Sequence, residues 1–441
     1  MNGKKNLSIR LAVFVFMAAL VLAVPVAGRT IYVDPNGSAD FTTIQGAIDD
    51  PCTVDGDEIE VAPGTYYEGI DFNGKGVRLY SSGGRDFTTI DANGAAHAVQ
   101  CVNGEDANTI LEGFTITGGN ANGSSWPDFL GGGMYCENSG LMVTNCCFTG
   151  NIARYGAGIY DNNSSPIVNN CSFTNNNATN YGGGMNNYDG SSPTVANCTF
   201  SGNTAGEYGG GMCNEESTDP NIADCIFNGN TAGINGGGVY NVSSSPTVVN
   251  CTFSGNTASK NGGGMNNIEN SNPTVKDCTF SGNTSNWHAG AMNNVLSCSP
   301  TLTNCTFSQN AAAIYAGGVL NSVDCSPTMT NCMFSGNTSQ DGAGVFNNDN
   351  SNPIVTNCIF TGNVANRYGG GMGSYKNSGP TVTNCTFNNN TASAGGGIRN
   401  WSNSNPTVSN CILWGNTPDE ILDYDSPASA TTVSFSDVRG G

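Results

Sequence analysis

One repeated position carries aromatic side chains that could bind a sugar chain or a protein surface. It stands directly before a glycine-rich triplet, and stacked rings on a surface offer an apolar platform to a ligand. The position is filled by Tyr155, Tyr181, Tyr208, Asn235, Asn261, His288, Tyr315, Asp341 and Tyr368, with Trp287 beside it. We take Tyr155, Tyr181, Tyr208, Trp287, His288, Tyr315 and Tyr368 as ligand-binding candidates. The alternative is that each ring only covers the glycine backbone next to it.

Cysteine is the second residue type with chemical potential, since 18 thiols could form disulfides, hold soft metals or pack as small apolar groups. Eleven recur once per repeat: Cys146, Cys171, Cys198, Cys225, Cys251, Cys278, Cys305, Cys332, Cys358, Cys385 and Cys411. Stacked neighbours keep their Cβ atoms about 4.8 Å apart, whereas a disulfide needs about 3.5–4.5 Å. We therefore predict that most of these eleven marker cysteines are buried free thiols. Cys298 and Cys325 share one loop position in successive repeats, and we name them as a disulfide candidate.

Groups that would cut a polysaccharide or hold a metal are sparse. The chain has two histidines, His97 and His288, and its repeats contain few lysines and arginines. Zinc-type CxxC and His spacings are absent, and the acidic loop with Glu215 and Glu216 matches no calcium-loop motif, although calcium there stays open. We predict no catalytic residue, no metal site and no cofactor. Carboxylates on neighbouring repeats can still converge, so an enzyme stays the alternative.

The strands and corners that position the aromatic residues and the cysteines belong to one repeated sequence unit. The marker cysteines recur at steps of 25 to 27 residues, and such a fixed period is typical of a stacked solenoid. Around Cys251, Val248 lies three residues before, Asn250 one before and Phe253 two after. Valine, cysteine and phenylalanine can all face the core only if the chain bends at the asparagine, which tolerates the left-handed conformation.

Two further features complete the unit. A second asparagine follows each phenylalanine by three residues and marks another corner, and the glycine triplet leads into a third strand that begins with an apolar residue such as Met265. Glycine and asparagine are too frequent for long helices. The predicted fold class is therefore all-β, a parallel β-helix solenoid with three short strands per rung and the phenylalanines in one buried stack.

Two stretches carry a resemblance to known families. Phe200-Ser-Gly-Asn203 with Gly210-Gly211-Met212 resembles the repeats of chlamydial polymorphic outer membrane proteins, over about two thirds of the chain. The run from Asp40 to Ile48, followed by Val61-Ala-Pro-Gly-Thr-Tyr66, is similar to the entry segment of pectin-lyase-like proteins. Both resemblances imply a right-handed β-helix. Family members with the outer-membrane role carry a C-terminal barrel, and we expect none in this chain.

The ends differ from the repeats, and four regions are expected. Residues 1–28 have the basic start, apolar run and small-residue exit of a signal peptide. Residues 30–118 form irregular first rungs, with a short amphipathic helix expected over 41–49 as an N-terminal cap. Residues 119–416 are the regular repeats. Residues 417–441 form a tail without a recognisable cap, so we expect a truncated product or another subunit that covers the end.

The net charge of the chain limits the classes of molecule that it can bind. The chain has a net charge of −20, and an acidic surface repels nucleic acid and anionic lipid. It also disfavours acidic polysaccharides unless cations bridge the two. We therefore expect no nucleic-acid partner and no transmembrane segment in the mature chain. The predicted protein is secreted or attached to the cell surface, with a structural or adhesin-like role and an extracellular glycan or surface protein as partner. The competing function is a polysaccharide lyase or glycoside hydrolase.

Overall fold

The chain winds into a parallel β-solenoid of about 15 turns. The computed structural model describes residues 28–425 and 428–439, so almost all of the expected signal peptide lies outside the described residues. Successive turns pair in register and build four parallel sheets of 16, 15, 14 and 10 strands. Within the described ranges, no helix is long and apolar enough to span a bilayer.

Sheets 1 and 2 hold the valine and phenylalanine strands of the repeat. The 16 strands of sheet 1 are Thr30–Val33, Glu58–Val61, Arg78–Ser81, Ile110–Glu112, Met142–Thr144, Ile167–Asn169, Thr194–Ala196, Asn221–Ala223, Thr247–Val249, Thr274–Lys276, Thr301–Thr303, Thr328–Thr330, Ile354–Thr356, Thr381–Thr383, Thr407–Ser409 and Thr432–Ser434. The 15 strands of sheet 2 are Gly64–Tyr67, Thr88–Asp91, Thr115–Thr117, Cys147–Thr149, Ser172–Thr174, Thr199–Ser201, Ile226–Asn228, Thr252–Ser254, Thr279–Ser281, Thr306–Ser308, Met333–Ser335, Ile359–Thr361, Thr386–Asn388, Ile412–Trp414 and Asp437–Val438.

Sheets 3 and 4 lie on either side of the glycine-rich corner. The 14 strands of sheet 3 are Ile70–Asp71, Val99–Cys101, Met134–Glu137, Ile159–Asn162, Met185–Tyr188, Met212–Glu215, Val239–Val242, Met265–Ile268, Met292–Val295, Val319–Ser322, Val345–Asn348, Met372–Tyr375, Ile398–Trp401 and Ile421–Asp423. The ten strands of sheet 4 are Asn120–Ala121, Ile152–Tyr155, Asn177–Tyr181, Thr204–Ala205, Thr231–Ala232, Thr257–Ala258, Thr284–Ser285, Ala311–Ala312, Thr338–Asp341 and Val364–Tyr368.

The corner between sheets 1 and 2 has the expected geometry. Asn197, Asn250 and Asp277 have φ values of 56°, 54° and 55°, in the left-handed region that asparagine and aspartate tolerate best among side-chain-bearing residues. The bend turns both Val248 and Phe253 into the core, where each is 0% exposed. The predicted strand, bend and strand around each marker cysteine is therefore confirmed.

The phenylalanines form one continuous stack in the core. From Phe148 to Phe387, neighbouring rings lie 4.4 to 5.1 Å apart between centroids and within 1 to 11° of parallel. This spacing follows from the distance between paired strands, about 4.8 Å, because each ring stands on the ring of the turn below.

Two details of the predicted rung need correction. Three strands per rung are not confirmed, because ten turns add a fourth strand, often two residues long, in sheet 4. A capping helix is not confirmed either: the described residues contain one helix, Ile44–Asp49. Its Ile44, Ala47 and Ile48 are buried in the core. Six residues span only about 9 Å, which is too short to cover a whole turn.

The marker cysteines lie in the core, and all eleven are buried with free thiols in the structure. At most turns the backbone N–H of one donates to Sγ of the next, as from Cys225 to Cys251 at 3.4 Å, and the thiol points to a carbonyl oxygen, as from Cys251 to Val249 at 3.2 Å. We expect most of the 18 thiols to react with a thiol reagent after denaturation without reductant. A count near zero would contradict the prediction, and a reduced sample gives the full count.

Candidate functional site: a groove beside the glycine corner

The glycine-rich segment between sheets 4 and 3, here called the glycine corner, packs its backbone against the side chains of the sheet 3 strand that follows it. In Met185–Tyr188 of sheet 3, Met185 points to the core, and Asn186 points the other way yet is 1% exposed. Gly182 at the corner has φ +65°, and a Cβ on it would lie 2.6 Å from Cβ of Asn186. The corner therefore requires glycine because the Asn186 side chain packs directly against its backbone.

Repeated along the solenoid, this arrangement makes a longitudinal groove. Its floor is the second position in ten of the 14 strands of sheet 3, where the residue is at most 7% exposed: Tyr135, Tyr160, Asn186, Cys213, Tyr240, Asn266, Asn293, Leu320, Phe346 and Arg399. One wall is the column from Tyr155 to Tyr368 that precedes the glycines and pairs from turn to turn; its residues are half-buried except Asp341, which is buried. The other wall is the fourth position of the same strands and includes Tyr188, Glu215, Tyr375 and Trp401.

Aromatic rings crowd the N-terminal end of the groove. In the wall, the ring of Tyr181 lies 5.1 Å from those of Tyr155 and Tyr208. On the floor, Tyr160 lies 6.2 Å from Tyr135 and 6.5 Å from Tyr188. Tyr135, Tyr155, Tyr160 and Tyr188 belong to an apolar cluster outside the solenoid core. Their spacing follows from the register of the turns, so the groove presents a series of neighbouring rings inclined by 26 to 69° to one another.

A cavity of about 250 Å³ opens at this end of the groove. It is lined by Trp126, Phe129, Leu130, Tyr155, Tyr160, Tyr181, Asn186, Tyr188 and Glu215. Six of the nine are aromatic, and both walls and the floor contribute. The loop with Trp126 and Phe129 lines one side of the cavity. The rings of these two residues meet edge to face at 5.9 Å.

Two polar groups face this aromatic cavity. Burial raises the pKa of Glu215 to about 7, although the neighbouring Asn186 amide and Cys213 thiol favour the ionised form. The Asn186 amide is close enough to Glu215 to favour its ionised form, but neither Nδ2 nor Oδ1 makes a hydrogen bond of normal geometry with the described residues. Buried polar groups normally are paired, so a donor and an acceptor remain available on the floor of the cavity.

The C-terminal end of the groove is also aromatic but carries positive charge. Tyr315 stacks between His288 at 4.9 Å and Phe346 at 4.6 Å. The guanidinium of Arg399 lies 3.9 Å above the ring of Tyr368 and 5.5 Å from that of Trp401, which is cation–π geometry. Close by, Arg367 forms a two-pronged ion pair with the buried Asp341.

The structure brings together most of the predicted ligand-binding residues, in two groups. Tyr155, Tyr181 and Tyr208 line the N-terminal end, and His288 and Tyr315 pack together further along. Tyr368 belongs to the Arg399 cluster, one turn beyond Asp341. Trp287 lies outside the groove: it is 47% exposed, and the Lys260 ammonium lies 5.2 Å from its ring.

The disulfide candidate lies away from the groove, in the loop between sheets 3 and 1. Both thiols are free and buried here, and the backbone N–H of Cys298 donates to Sγ of Cys325 at 3.1 Å. A disulfide between them stays a prediction. Across the described residues, no three His, Cys, Asp or Glu side chains lie together in a way that could hold a metal ion.

The floor and the second wall were missed by sequence reasoning. Tyr160, Asn186, Tyr188 and Glu215 stand at fixed offsets after the glycine triplet, and this offset was the available signal. Strand alternation assigns the second and fourth positions to the outside of a solenoid, and it does not reveal that the glycine corner buries the second position.

Three known proteins are partly similar to this chain. The chain is 35% identical over 126 residues to "Cell surface glycoprotein" of Methanothermus fervidus, and the match covers 29% of this chain but only 18% of that protein. Among solved structures, it is similar to the catalytic unit of a thermostable GH87 alpha-1,3-glucanase from Streptomyces thermodiastaticus, with 13% identity, a TM-score of 0.38 and coverage of 94% of this chain and 69% of that one. It is also similar to PfbA, a surface adhesin of Streptococcus pneumoniae, with 10% identity, a TM-score of 0.29 and coverage of 86% and 84%.

The family described as "Right handed beta helix region" matches five overlapping segments, 68–206, 154–265, 178–319, 244–370 and 318–437. Together they cover most of the chain and nearly all turns of the solenoid. The chain therefore belongs to the right-handed β-helix family.

Proposed function

We propose that this protein is exported and binds a glycan along the groove, at the cell surface or outside the cell. The observation that carries the proposal is the convergence of ring faces and unpartnered amides in one groove. Aromatic faces pack against the apolar faces of sugar rings, and a few fixed polar groups orient a ligand in such sites. A relative named as a cell surface glycoprotein and the signal-peptide pattern support the location. The finer kinship with pectin-lyase-like or polymorphic outer-membrane proteins stays a prediction.

The wall tyrosines provide the test. Tyr181→Ala and Tyr208→Ala each remove one ring from the wall, and we expect each to weaken glycan binding by about fivefold or more, since truncation of an important aromatic contact costs over about 1 kcal/mol. A glycan array identifies the probe, and isothermal titration calorimetry measures its Kd with each variant.

Tyr67→Ala is the matched control, because Tyr67 is 70% exposed and lies in sheet 2, away from the groove. It should bind like the wild type. If the three variants bind the glycan equally well, the groove is not the binding site.

One observation favours the competing enzyme function. A carboxyl with a pKa of about 7, such as Glu215, holds a proton for part of the time at neutral pH and can serve as a general acid. Glycoside hydrolases use two such groups across the scissile bond, and the other eight described lining residues carry no carboxylate. We therefore prefer glycan binding to catalysis as the proposed function. Release of new sugar ends from the bound glycan, abolished by Glu215→Gln, would reverse that order.

A further inference from the structure

We propose that the cavity at the N-terminal end of the groove selects an uncharged sugar, taking one neutral pyranose ring whose hydroxyl groups bond to Asn186 and Glu215. This inference rests on the proposed glycan binding and names the class of glycan and the residues that determine it. Size, hydrogen-bonding capacity and charge each point to it.

The size of the cavity fits one ring better than a larger ligand. Its volume of about 250 Å³ is below the roughly 300–1,000 Å³ that is common for drug-sized ligands. Tyr155 and Tyr181 stand on one side, and Tyr160 lies at the base. A ring that enters between them meets aromatic faces and excludes water from the floor.

The floor supplies matched polar groups. Asn186 is 1% exposed, and both ends of its amide lack partners among the described residues. A neighbouring donor and acceptor on one planar amide suit two adjacent hydroxyls of a pyranose, because each hydroxyl both donates and accepts. Glu215 on the opposite wall adds a carboxyl group that can accept from a third hydroxyl.

The charges around the cavity disfavour an acidic sugar. No lysine or arginine is among its described lining residues, whereas Glu215 is. Glu137 lies near the same end and accepts a hydrogen bond from the Tyr135 hydroxyl at 2.7 Å. The guanidinium of Arg154 lies over the ring of Phe129 at 5.3 Å, and Arg154 is not among the lining residues. A uronate carboxylate would therefore face Glu215 without a cation from the lining, in contrast to the Arg399 end of the groove.

The experiment compares neutral with acidic probes on the full mature protein. Calorimetric titrations use cello-, manno- and xylo-oligosaccharides on one side and oligogalacturonate and oligomannuronate on the other. We expect at least one neutral series to bind more than about tenfold tighter than the acidic ones, a difference of about 1.4 kcal/mol.

Asn186→Leu is the decisive variant. It keeps the branched shape of the side chain, although leucine is larger, and removes both hydrogen-bonding atoms, so the preferred neutral probe should bind about tenfold more weakly. Because those atoms have no hydrogen-bond partner among the described residues, the melting temperature should fall no further than that of Asn293→Leu, which adds the same volume and also gives up the hydrogen bond to Asn266. A larger fall than in Asn293→Leu would indicate a structural role for the Asn186 amide. Asn293→Leu, on the floor four turns away, is the control and should retain the preference.

Two results would overturn the inference in distinguishable ways. Binding of acidic oligosaccharides that depends on Tyr181 would refute the neutral specificity and leave the glycan-binding groove intact. If no probe binds in a manner that depends on Tyr181, both the specificity and the proposed function fail.

Discussion

Replacing Phe280 by alanine is expected to lower the free energy of unfolding by roughly 3–5 kcal/mol. The ring is 0% exposed and lies between Phe253 at 4.5 Å and Phe307 at 5.1 Å. Each turn of a solenoid contacts only its neighbours, so the cavity left by the ring weakens two interfaces at once. Calorimetric melting of the variant and the wild type measures the loss.

Thr279→Ala is the control for this substitution. Thr279 precedes Phe280 in the same strand, but its side chain is on the solvent side and half-buried, so its loss should change stability by only a few tenths of a kcal/mol. Equal melting temperatures for Phe280→Ala and Thr279→Ala would show that the assigned register of the core is wrong.

The second large effect concerns a ladder of buried asparagines. At the third position of the sheet 3 strands, Nδ2 of each asparagine donates to Oδ1 of the next, at 2.7 to 2.9 Å, from Asn187 to Asn347. At the N-terminal end, Oδ1 of Asn187 has no partner among the described residues. The register places Asp161 beside it, and neither carboxyl oxygen of Asp161 is paired.

Protonation of Asp161 allows its carboxyl group to pair with Asn187. Burial raises the pKa of its carboxyl from 3.8 to about 8, so the folded protein keeps the proton at neutral pH. A neutral carboxyl can donate to Oδ1 of Asn187 and complete the ladder. Because the folded pKa lies above the unfolded value, this contribution to stability is fully present below about pH 4 and is lost as the pH rises toward 8.

Asp161→Asn should therefore stabilise the protein, by about 4 kcal/mol at pH 7 and by little at pH 4. The new amide is neutral at every pH and supplies the donor for Asn187. Melting temperatures of both proteins across this pH range measure the difference. Asn241→Asp, in the middle of the ladder, is the matched control and should destabilise the protein at pH 7. A difference between Asp161→Asn and the wild type that does not change with pH would contradict the account.

The regular part of the fold could be predicted because each turn repeats the same physical constraints. The bend at Asn250 follows from the need to bury both Val248 and Phe253, and the structure confirms it. The strand Thr257–Ala258 could not be predicted, because two residues show no alternation. A helix was expected over 41–49 from the spacing of Ile44, Ala47 and Ile48; the observed helix, Ile44–Asp49, has only six residues and is too short for the expected cap.

The candidate site was only half predictable. The spacing before the glycines identified Tyr155, Tyr181 and Tyr208 as an outward column, and the structure places them in one wall. Burial of Asn186 depends on how closely the corner at Gly182 approaches the next strand, which is a three-dimensional property. The buried role of Asn187 was equally hidden, since asparagine in a strand next to a loop is usually exposed.

The central claim, that the aromatic groove binds a glycan, is tested most directly by oxidative footprinting of the wild-type protein. Hydroxyl radicals label exposed aromatic side chains, and mass spectrometry compares labelling with and without the glycan that binds best. The account predicts protection of Tyr155, Tyr181 and Tyr188 and unchanged labelling of Tyr67, which is 70% exposed outside the groove. Protection confined to residues outside the groove, with the three groove tyrosines labelled as before, would contradict it.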